Sequence, residues 1–387
     1  MLESLKGFEM INSERLAAEF ARLAAMASPS LGEGEIARYL LERLRQLGAE
    51  VVMDDAGERA GGACGNLIAR FPAAGREGEP LLLSAHMDTV EPCAGVEPLL
   101  RDGVFTSAGE TVLGADDKAG IAELIEALEV VREQAIPRGP IEVVITIAEE
   151  VGLLGAKLLN PGMLTARRGL ALDTSGVDLV IHKAPCANKL RFEVVGREAH
   201  AGIAPEKGIS AIEVAARAIA AMHLGRIDEE TTANIGSIEG GQATNIVAKR
   251  VVVEGEARSH DPAKLARQTA HMVACFEGAA RDMAREIGGE LVVPEVKAEV
   301  LSDYPRMAVD LQAPIIRLVE SAASRLGRTI EVRAAGGGSD ANIFNGHGIE
   351  TVILGTGMTN VHSVDESVRV EDMVRVAELL VEIMRQA

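Results

Sequence analysis

Aromatic side chains are scarce in this sequence. Its 387 residues include no tryptophan, 2 tyrosines and 7 phenylalanines, so aromatic residues make up only 2% of the chain. Hydrophobic residues still make up 47% and charged residues 25%, which is the composition of an ordinary globular protein. The core must therefore be built from aliphatic side chains, and the length is sufficient for two domains.

An excess of basic residues is also absent. The chain has 39 Lys and Arg residues against 58 Asp and Glu residues, which gives a formal net charge of -19. Nucleic acids and anionic membrane surfaces bind proteins that present a basic face, so we expect neither as a partner. No apolar run approaches the roughly 18 residues that a membrane-spanning helix requires.

Cysteines are few and scattered. Cys64, Cys93, Cys186 and Cys275 form no CxxC pair, and in a chain of this length we interpret them as free thiols in a reducing compartment. The N-terminal segment has no basic stretch followed by an apolar core, so no signal peptide is predicted. We expect a cytoplasmic protein.

The first segment that indicates chemistry is LLLSAHMDTV, residues 81–90. An apolar run that ends in polar residues is typical of a strand buried on both faces of a parallel sheet. His86 and Asp88 are two residues apart and point the same way in an extended chain, so the carboxylate can orient an imidazole that binds a metal. A hydrogen-bonded pair without a metal is the competing interpretation.

Two acids then open a predicted helix in GADDKAG, residues 114–120. One aspartate is enough to cap a helix, which leaves the second unexplained. A carboxylate at Asp116 could instead bridge two metal ions about 3.5–4 Å apart. Helix capping alone remains the alternative for this segment.

Two more predicted strands end in acids. The strand that begins at Ile141 runs into Glu149 and Glu150, and the strand that begins at Gly169 runs into Asp173. Adjacent carboxylates at a strand end point to opposite sides, so one can bind a metal while the other faces the substrate and serves as a general base. Because ligands of open α/β sheets bind at the carboxyl ends of strands, we expect these acids and His86 to meet at one edge.

A second domain is predicted as an insertion. From Ala184 to about Ser302, alternating strands and two amphipathic helices indicate an antiparallel sheet with helices on one face. The predicted boundaries are 1–184 and 302–387 for the α/β domain and 185–301 for the α+β insertion. Within it, one helix is expected from Pro262 to Glu286 and one strand from Glu290 to Val300.

Two late segments add candidate residues. Three glycines at 336–338 permit close approach of the backbone to a ligand. A flexible loop that ends in a helix cap would explain them equally well. His362, in a predicted loop, could supply a second imidazole, although a loop histidine is commonly only a surface residue.

Seven motifs occur in one order along the chain: HMDTV, GADDKAG, AEEVG, LDTSG, REAHAG, GGGSDAN and NVHSVDE. The set resembles the dinuclear zinc aminoacylase, carboxypeptidase and peptidase T family, and GADDKAG and NVHSVDE are most similar to its peptidase T-like branch. The resemblance implies a phosphorylase/hydrolase-like zinc exopeptidase domain with an inserted, ferredoxin-like lid or dimerisation domain. It also implies a homodimer formed through that lid.

The resemblance further implies roles for individual residues. Two Zn²⁺ ions per subunit, or Mn²⁺ or Co²⁺ in their place, would be held by His86, Asp116, Glu150, Asp173 and His362, with Asp116 shared by both ions. Glu149 would be the general base for a metal-bridged water, and Asp88 would orient His86. A cis peptide bond would join Asp116 to Asp117. Residues beside the substrate would be His200, Asn245, Arg258, Ser339 and Asp340, with His200 stabilising the oxyanion.

The implied activity is that of a metal-dependent exopeptidase acting on short peptides, and specifically a tripeptide aminopeptidase. A carboxypeptidase and an N-acyl-amino-acid amidohydrolase of the same family are the alternatives. A peptide-binding module without catalysis is disfavoured, because every matched catalytic position is filled.

Overall fold

The computed structural model describes residues 11–387. The chain divides into two compact units. The first comprises the chain up to Lys183 together with Met307–Ala335 and Ser339–Ala387, and the second comprises Ala184–Arg306 with Gly336–Gly338. The predicted insertion, 185–301, lies within the second unit. Residues 1–10, which carry the prediction about a signal peptide, lie outside the described residues.

The first unit begins with alternating helices and strands. Up to Ala184 its elements are α1 (Ser13–Ala24), α2 (Gly34–Gln46), β1 (Glu50–Met53), α3 (Ala56–Ala60), β2 (Leu67–Phe71), β3 (Leu81–His86), β4 (Pro98–Arg101), β5 (Val104–Ser107), α4 (Ala115–Glu133), β6 (Ile141–Thr146), α5 (Leu154–Leu158), β7 (Arg168–Thr174) and β8 (Leu179–Ala184).

The second unit follows directly along the chain. Its elements are β9 (Cys186–Val195), α6 (Ala211–Ala221), β10 (Gly225–Arg226), β11 (Thr231–Gly240), β12 (Arg250–Ser259), α7 (Pro262–Asp282), β13 (Arg285–Ile287), β14 (Glu290–Val292) and β15 (Glu295–Tyr304). The chain then returns to the first unit with β16 (Met307–Ala308), α8 (Pro314–Arg325), β17 (Glu331–Ala334), α9 (Asp340–Gly346), β18 (Glu350–Gly355), β19 (Ser367–Arg369) and α10 (Val370–Gln386).

A nine-stranded mixed sheet forms the centre of the first unit. Its strand order is β1-β2-β6-β3-β7-β18-β8-β16, and β17 pairs with β8. Every residue of β3 and of β6 is buried, as their apolar sequences predict for strands covered on both faces. Helix α4 packs against β3, β7 and α10 and is buried from Ala115 to Val131. This rigid sheet fixes the position of the strand ends that carry the site.

The second unit is an antiparallel sheet of order β10-β11-β12-β9-β15 with α6 and α7 packed against it. Alternate residues of β9 are buried, as expected for a sheet with one covered face. The rings of Phe192 and Phe276 stack with centroids 4.1 Å apart in its core. The α/β class with an α+β insertion is therefore confirmed.

Two predicted elements in the second unit were wrong in detail. Helix α7 ends at Asp282 rather than Glu286, and the strand expected over Glu290–Val300 is two separate strands. Residues 285–287 instead pair with 290–292 as a hairpin. Gly288 and Gly289 both have positive φ, 64° and 89°, and this backbone suits a two-residue hairpin turn that glycine favours. The glycine pair therefore forms the turn at which the chain reverses.

Two sequence-based expectations about the whole chain can be compared with the structure. Among residues 11–387 no helix has the length and hydrophobicity needed to cross a membrane. Cys64, Cys93, Cys186 and Cys275 are all free, as their scattered positions predicted.

Candidate metal centre and catalytic site

The strands that carry the predicted site residues are neighbours. β3 pairs in parallel with β6 on one side and with β7 on the other, so their carboxyl ends lie at one edge of the sheet. His86 is the last residue of β3 and Asp173 the sixth of the seven residues of β7. The prediction that the carboxyl ends of these strands lie at one edge of the sheet is confirmed.

Glu149 and Glu150 differ from their predicted setting. β6 ends at Thr146, and the two glutamates follow in a turn rather than at the strand end. The alternation of a strand therefore does not determine where their side chains point. Hydrogen bonds from their backbone amides determine it instead: Glu149 N–H donates to Asp88 Oδ1 (2.9 Å), and Glu150 N–H donates to Asp88 Oδ2 (3.2 Å).

His86 is held in one orientation by Asp88. Its Nδ1 lies 3.1 Å from the Asp88 carbonyl oxygen and 3.3 Å from Asp88 Oδ1. Both oxygens are acceptors, so Nδ1 is the protonated nitrogen. Nε2 then faces Asp116 Oδ1 at 3.1 Å and Asp173 Oδ1 at 3.9 Å. Asp88 thus fixes the orientation of the ring and directs Nε2 toward Asp116 and Asp173, the arrangement in which an imidazole can bind a metal.

Asp116 lies between two imidazoles. Its Oδ1 faces His86 Nε2, and its Oδ2 lies 3.2 Å from His362 Nε2. His362 Nε2 is also 2.9 Å from Glu150 Oε1. Each histidine thus contacts one oxygen of Asp116 and lies beside a further carboxylate, Asp173 or Glu150. The shared position of Asp116 is what a bridging ligand requires.

The loop before α4 is held by a residue that we did not single out from the sequence. Glu366 accepts hydrogen bonds from Gly114 N–H (2.7 Å) and Asp116 N–H (2.9 Å). The expected cis peptide between Asp116 and Asp117 is present. Asp116 and Asp117 have non-helical backbone angles, so the regular part of α4 starts after them and Asp116 is free to face the imidazoles.

The donor set fits divalent metal ions. Candidate ligand atoms of His86, Asp116 and Glu150 all lie within 4.8 Å of one another. Imidazole nitrogen and carboxylate oxygen are ligands of Zn²⁺, Mn²⁺ and Co²⁺. Hydrogen bonds to Asp116 and Glu150 raise the pKa of His362 to about 10, because positive charge is favoured here. Divalent ions would offset the repulsion among the carboxylates of Asp116, Glu150 and Asp173.

Glu149 has the surroundings of a proton-transfer group. It is 9% exposed, and burial raises its pKa well above the ordinary value, with repulsion from Asp173 adding to the effect. Asp88 is fully buried and also accepts a hydrogen bond from Ser30 Oγ at 2.7 Å. One carboxylate therefore orients both His86 and the backbone of Glu149.

Ser339 and Asp340 lie at the start of α9. Ser339 caps that helix by accepting a hydrogen bond from Ala341 N–H (3.2 Å). Asp340 is buried, and its Oδ2 accepts a hydrogen bond from Thr146 Oγ1 at 2.5 Å. Burial raises the pKa of Asp340 to about 6 even though the bond from Thr146 opposes the shift. These contacts leave Asp340 Oδ1 without a partner among the described residues.

The other three predicted substrate residues belong to the second unit. His200 and Asn245 are exposed and lie on adjacent backbone segments, because Ala201 N–H donates to the Asn245 carbonyl at 2.9 Å. Arg258 is on β12, and its Nε lies 2.9 Å from Glu256 Oε1.

The buried residues Glu33 and Asn66 were missed by the sequence analysis. Asn66 Oδ1 accepts from Ile147 N–H (3.0 Å), and Glu33 Oε1 accepts from Ala148 N–H (2.9 Å). Both therefore support the turn that carries Glu149. No sequence pattern links them to it. Glu366, in contrast, stands inside the NVHSVDE motif and could have been found there.

The fold and these contacts place a candidate metal site, built from imidazoles and carboxylates, at the edge of the sheet. Residues 82–386 match Peptidase family M20/M25/M40, and the chain belongs to this family of peptidases. The family inferred from the motifs is therefore confirmed, as is the prediction of a hydrolase acting on peptide bonds.

Similar proteins cover nearly the whole chain. An uncharacterized protein of Bacillus subtilis (strain 168), YqjE, is 44% identical over 98% of this chain and 100% of its own length. The solved aminopeptidase PepT from Bacillus cereus ATCC 10987 is 43% identical with a TM-score of 0.87, over 97% of this chain and 99% of that chain. A solved tripeptidase from Staphylococcus aureus subsp. aureus mu50 is 39% identical with a TM-score of 0.90, over 97% and 98%.

Proposed function

We propose that this protein is a tripeptide aminopeptidase of the peptidase T type, which releases the N-terminal residue of short peptides. The observation that carries the proposal is the near full-length similarity to a solved PepT aminopeptidase and a solved tripeptidase. The contacts of Asp116 with two imidazoles support the same assignment, because they provide for a pair of metal ions. The proposal includes a homodimer formed through the second unit.

Five residues would hold two divalent ions, with zinc as the proposed metal. His86 and Asp173 would serve one ion, and His362 and Glu150 the other. Asp116, whose two oxygens each face a different imidazole, would be the ligand shared by both ions. Bound ions of this kind supply Lewis-acid polarisation of a carbonyl and lower the pKa of water.

Glu149 would be the general base and then the general acid. Its buried carboxylate takes a proton from the attacking water and returns it to the leaving amine. The raised pKa favours the first step, because a weaker acid has a conjugate carboxylate that accepts a proton more readily. Asp88 would keep His86 in one tautomer and hold the amides of Glu149 and Glu150.

The second unit would contribute substrate binding. His200 would stabilise the oxyanion, and Asn245 and Arg258 would bind polar or carboxylate groups of the peptide. The exposed side chains of His200 and Asn245 are available for such contacts. Ser339 and Asp340 would also be substrate-binding residues.

The test is a panel of tripeptides with free, N-acetylated and C-amidated ends, incubated with the zinc-loaded protein and followed by mass spectrometry. The expected result is loss of the N-terminal residue, and N-acetylation should block it. Release of the C-terminal residue, or of acetate alone, would overturn the aminopeptidase assignment and indicate a carboxypeptidase or an aminoacylase. The panel therefore decides from which end of the peptide a residue is released.

A further inference from the structure

The turn that follows β6 is held by side chains from distant parts of the sequence. Four consecutive backbone N–H groups donate to side-chain oxygens: Ile147 to Asn66 Oδ1 (3.0 Å), Ala148 to Glu33 Oε1 (2.9 Å), Glu149 to Asp88 Oδ1 (2.9 Å) and Glu150 to Asp88 Oδ2 (3.2 Å). None of these bonds belongs to a helix or a strand. The path of the backbone through the proposed base is therefore set residue by residue by buried side chains.

Ala148 is the residue of this turn that most needs support. Its φ is 48°, a left-handed conformation that the Cβ of alanine disfavours. Such a conformation persists only where the surroundings hold it. The hydrogen bond from Ala148 N–H to Glu33 is a contact of this kind, and it lies immediately before Glu149.

Glu33 is a buried acid whose hydrogen-bond partners are backbone N–H groups and not cationic side chains. Its side chain is 0% exposed, and Oε1 also accepts from Leu31 N–H at 2.9 Å. Leu31 likewise has a positive φ of 69°. Oε2 has no hydrogen-bond partner among the described residues. Burying a carboxylate is costly, and here the gain is a link between two strained backbone positions.

We propose that Glu33 is a positioning residue of this peptidase, which fixes the backbone of the Ala148–Glu149 turn and thereby the carboxylate of Glu149. The proposal rests on the function proposed for Glu149. Without the Glu33 oxygen, the Ala148 amide loses its partner and the strained turn relaxes. A displacement of about 1 Å in a catalytic group can lower the rate about 100-fold.

The first experiment compares Glu33→Ala with Glu33→Gln in the metal-loaded full-length protein. Glutamine keeps a carbonyl oxygen that can accept from both amides. We expect Glu33→Ala to lower kcat about 100-fold with KM changed by less than about threefold. Glu33→Gln should retain kcat within about threefold of the unmodified protein, because the remaining carbonyl oxygen can still accept from Ala148 N–H and Leu31 N–H.

Glu142 provides a matched control. It is a buried glutamate near the amino end of the same strand, β6. Its oxygens accept from two consecutive amides, Thr165 and Ala166, each at 2.9 Å. Glu142→Ala should therefore lower the melting temperature to an extent similar to Glu33→Ala. It should leave kcat within about threefold, because Glu142 lies near the amino end of β6 and the turn with Glu149 follows the opposite end of that strand.

Three outcomes would overturn the proposal: a normal kcat in Glu33→Ala, an equal loss in Glu33→Gln, or a raised KM with unchanged kcat. The last would make Glu33 a substrate contact.

Amide hydrogen exchange of the segment 145–155 tests the same link without activity. Exchange there should be faster in Glu33→Ala and unchanged in Glu142→Ala, and no difference between the two variants would also overturn the proposal. If the protein cleaves no peptide at all, the function fails while this exchange result still decides the role of Glu33.

Discussion

Glu149 and Glu150 are adjacent in the sequence but have different surroundings. Glu150 Oε1 contacts His362 Nε2 at 2.9 Å, whereas Glu149 is buried and its pKa is raised by desolvation and by Asp173. Under the proposed function, the pair would separate metal binding from proton transfer. A single-residue substitution can remove one task and leave the other.

We expect Glu149→Gln to lower kcat by about 10²–10⁴-fold, the range of general acid–base catalysis. The amide is similar in size but cannot accept and return a proton. The metal content should stay at that of the unmodified protein, while Glu150→Gln should lose bound metal. Steady-state kinetics and elemental analysis of both variants test this. Near-normal turnover in Glu149→Gln would remove Glu149 from its proposed role.

The cysteine thiols give a pH-dependent prediction. Burial, with repulsion from Glu33 and Asp54, raises the pKa of Cys64 to about 12. The thiolate is the reactive form, so at neutral pH alkylation of Cys64 in the folded protein should be about 10³-fold slower than in urea. As the pH increases, the alkylation rate should rise about tenfold per pH unit until the pH reaches that pKa. Peptide mapping after iodoacetamide treatment measures it, and equal rates in folded and unfolded protein would contradict it.

At the scale of the elements, the predictable features were those that lie within one stretch of sequence. The apolar runs predicted as strands before His86, from Ile141 and from Gly169 are β3, β6 and β7. The end of β3 at His86 also follows from a local change from apolar to polar residues. Such signals depend on neighbours in the chain, and a buried strand shows them strongly.

The features that could not be predicted depend on contacts between distant residues. Glu33 and Ala148 are 115 residues apart, and Asn66 and Ile147 are 81 apart. Periodicity carries no information about such a pair, because each partner fits its own element equally well without the other. The setting of Glu149 was therefore misjudged, whereas its presence near the site was not.

Asn66 joins β2 to the turn after β6. Its Oδ1 accepts from Ile147 N–H, and its Nδ2 donates to the Gly155 carbonyl at 2.9 Å. Asn66→Ala would leave the buried Ile147 N–H without a partner, at a cost of about 1–3 kcal/mol, whereas the Gly155 carbonyl would keep its hydrogen bond from Leu159 N–H (3.0 Å). We expect the free energy of unfolding to fall by about 1–3 kcal/mol in urea titrations.

Asn160→Ala is the control for Asn66→Ala. Asn160 caps a short 3₁₀ turn by accepting from Gly162 N–H at an exposed position. Loss of an exposed cap should cost about 1 kcal/mol or less, because water can replace the contact. If the two variants lost equal stability, the bridging role of Asn66 would be wrong.

At the scale of the whole molecule, part of the excess of acidic residues lies at the candidate metal centre. The net charge is -19, and Asp116, Glu150 and Asp173 gather around two imidazoles at the sheet edge. Like charges at short distance oppose folding unless cations offset them. The stability of the protein should therefore depend on metal, in addition to its activity.

Removal of metal by a strong chelator should abolish peptide hydrolysis and lower Tm. An ion that binds only the folded state adds about 2.7 kcal/mol of stability at a free concentration of 100 times its Kd. The shift in Tm should grow with free zinc concentration, and it should shrink on acidification, because the histidines and carboxylates must be deprotonated to bind metal. Differential scanning calorimetry of chelated and zinc-reconstituted protein measures both effects.

Asp116→Asn, which impairs the shared ligand, should show a much smaller response to the chelator. A Tm of the unmodified protein that is the same with zinc and with chelator would contradict the metal centre itself.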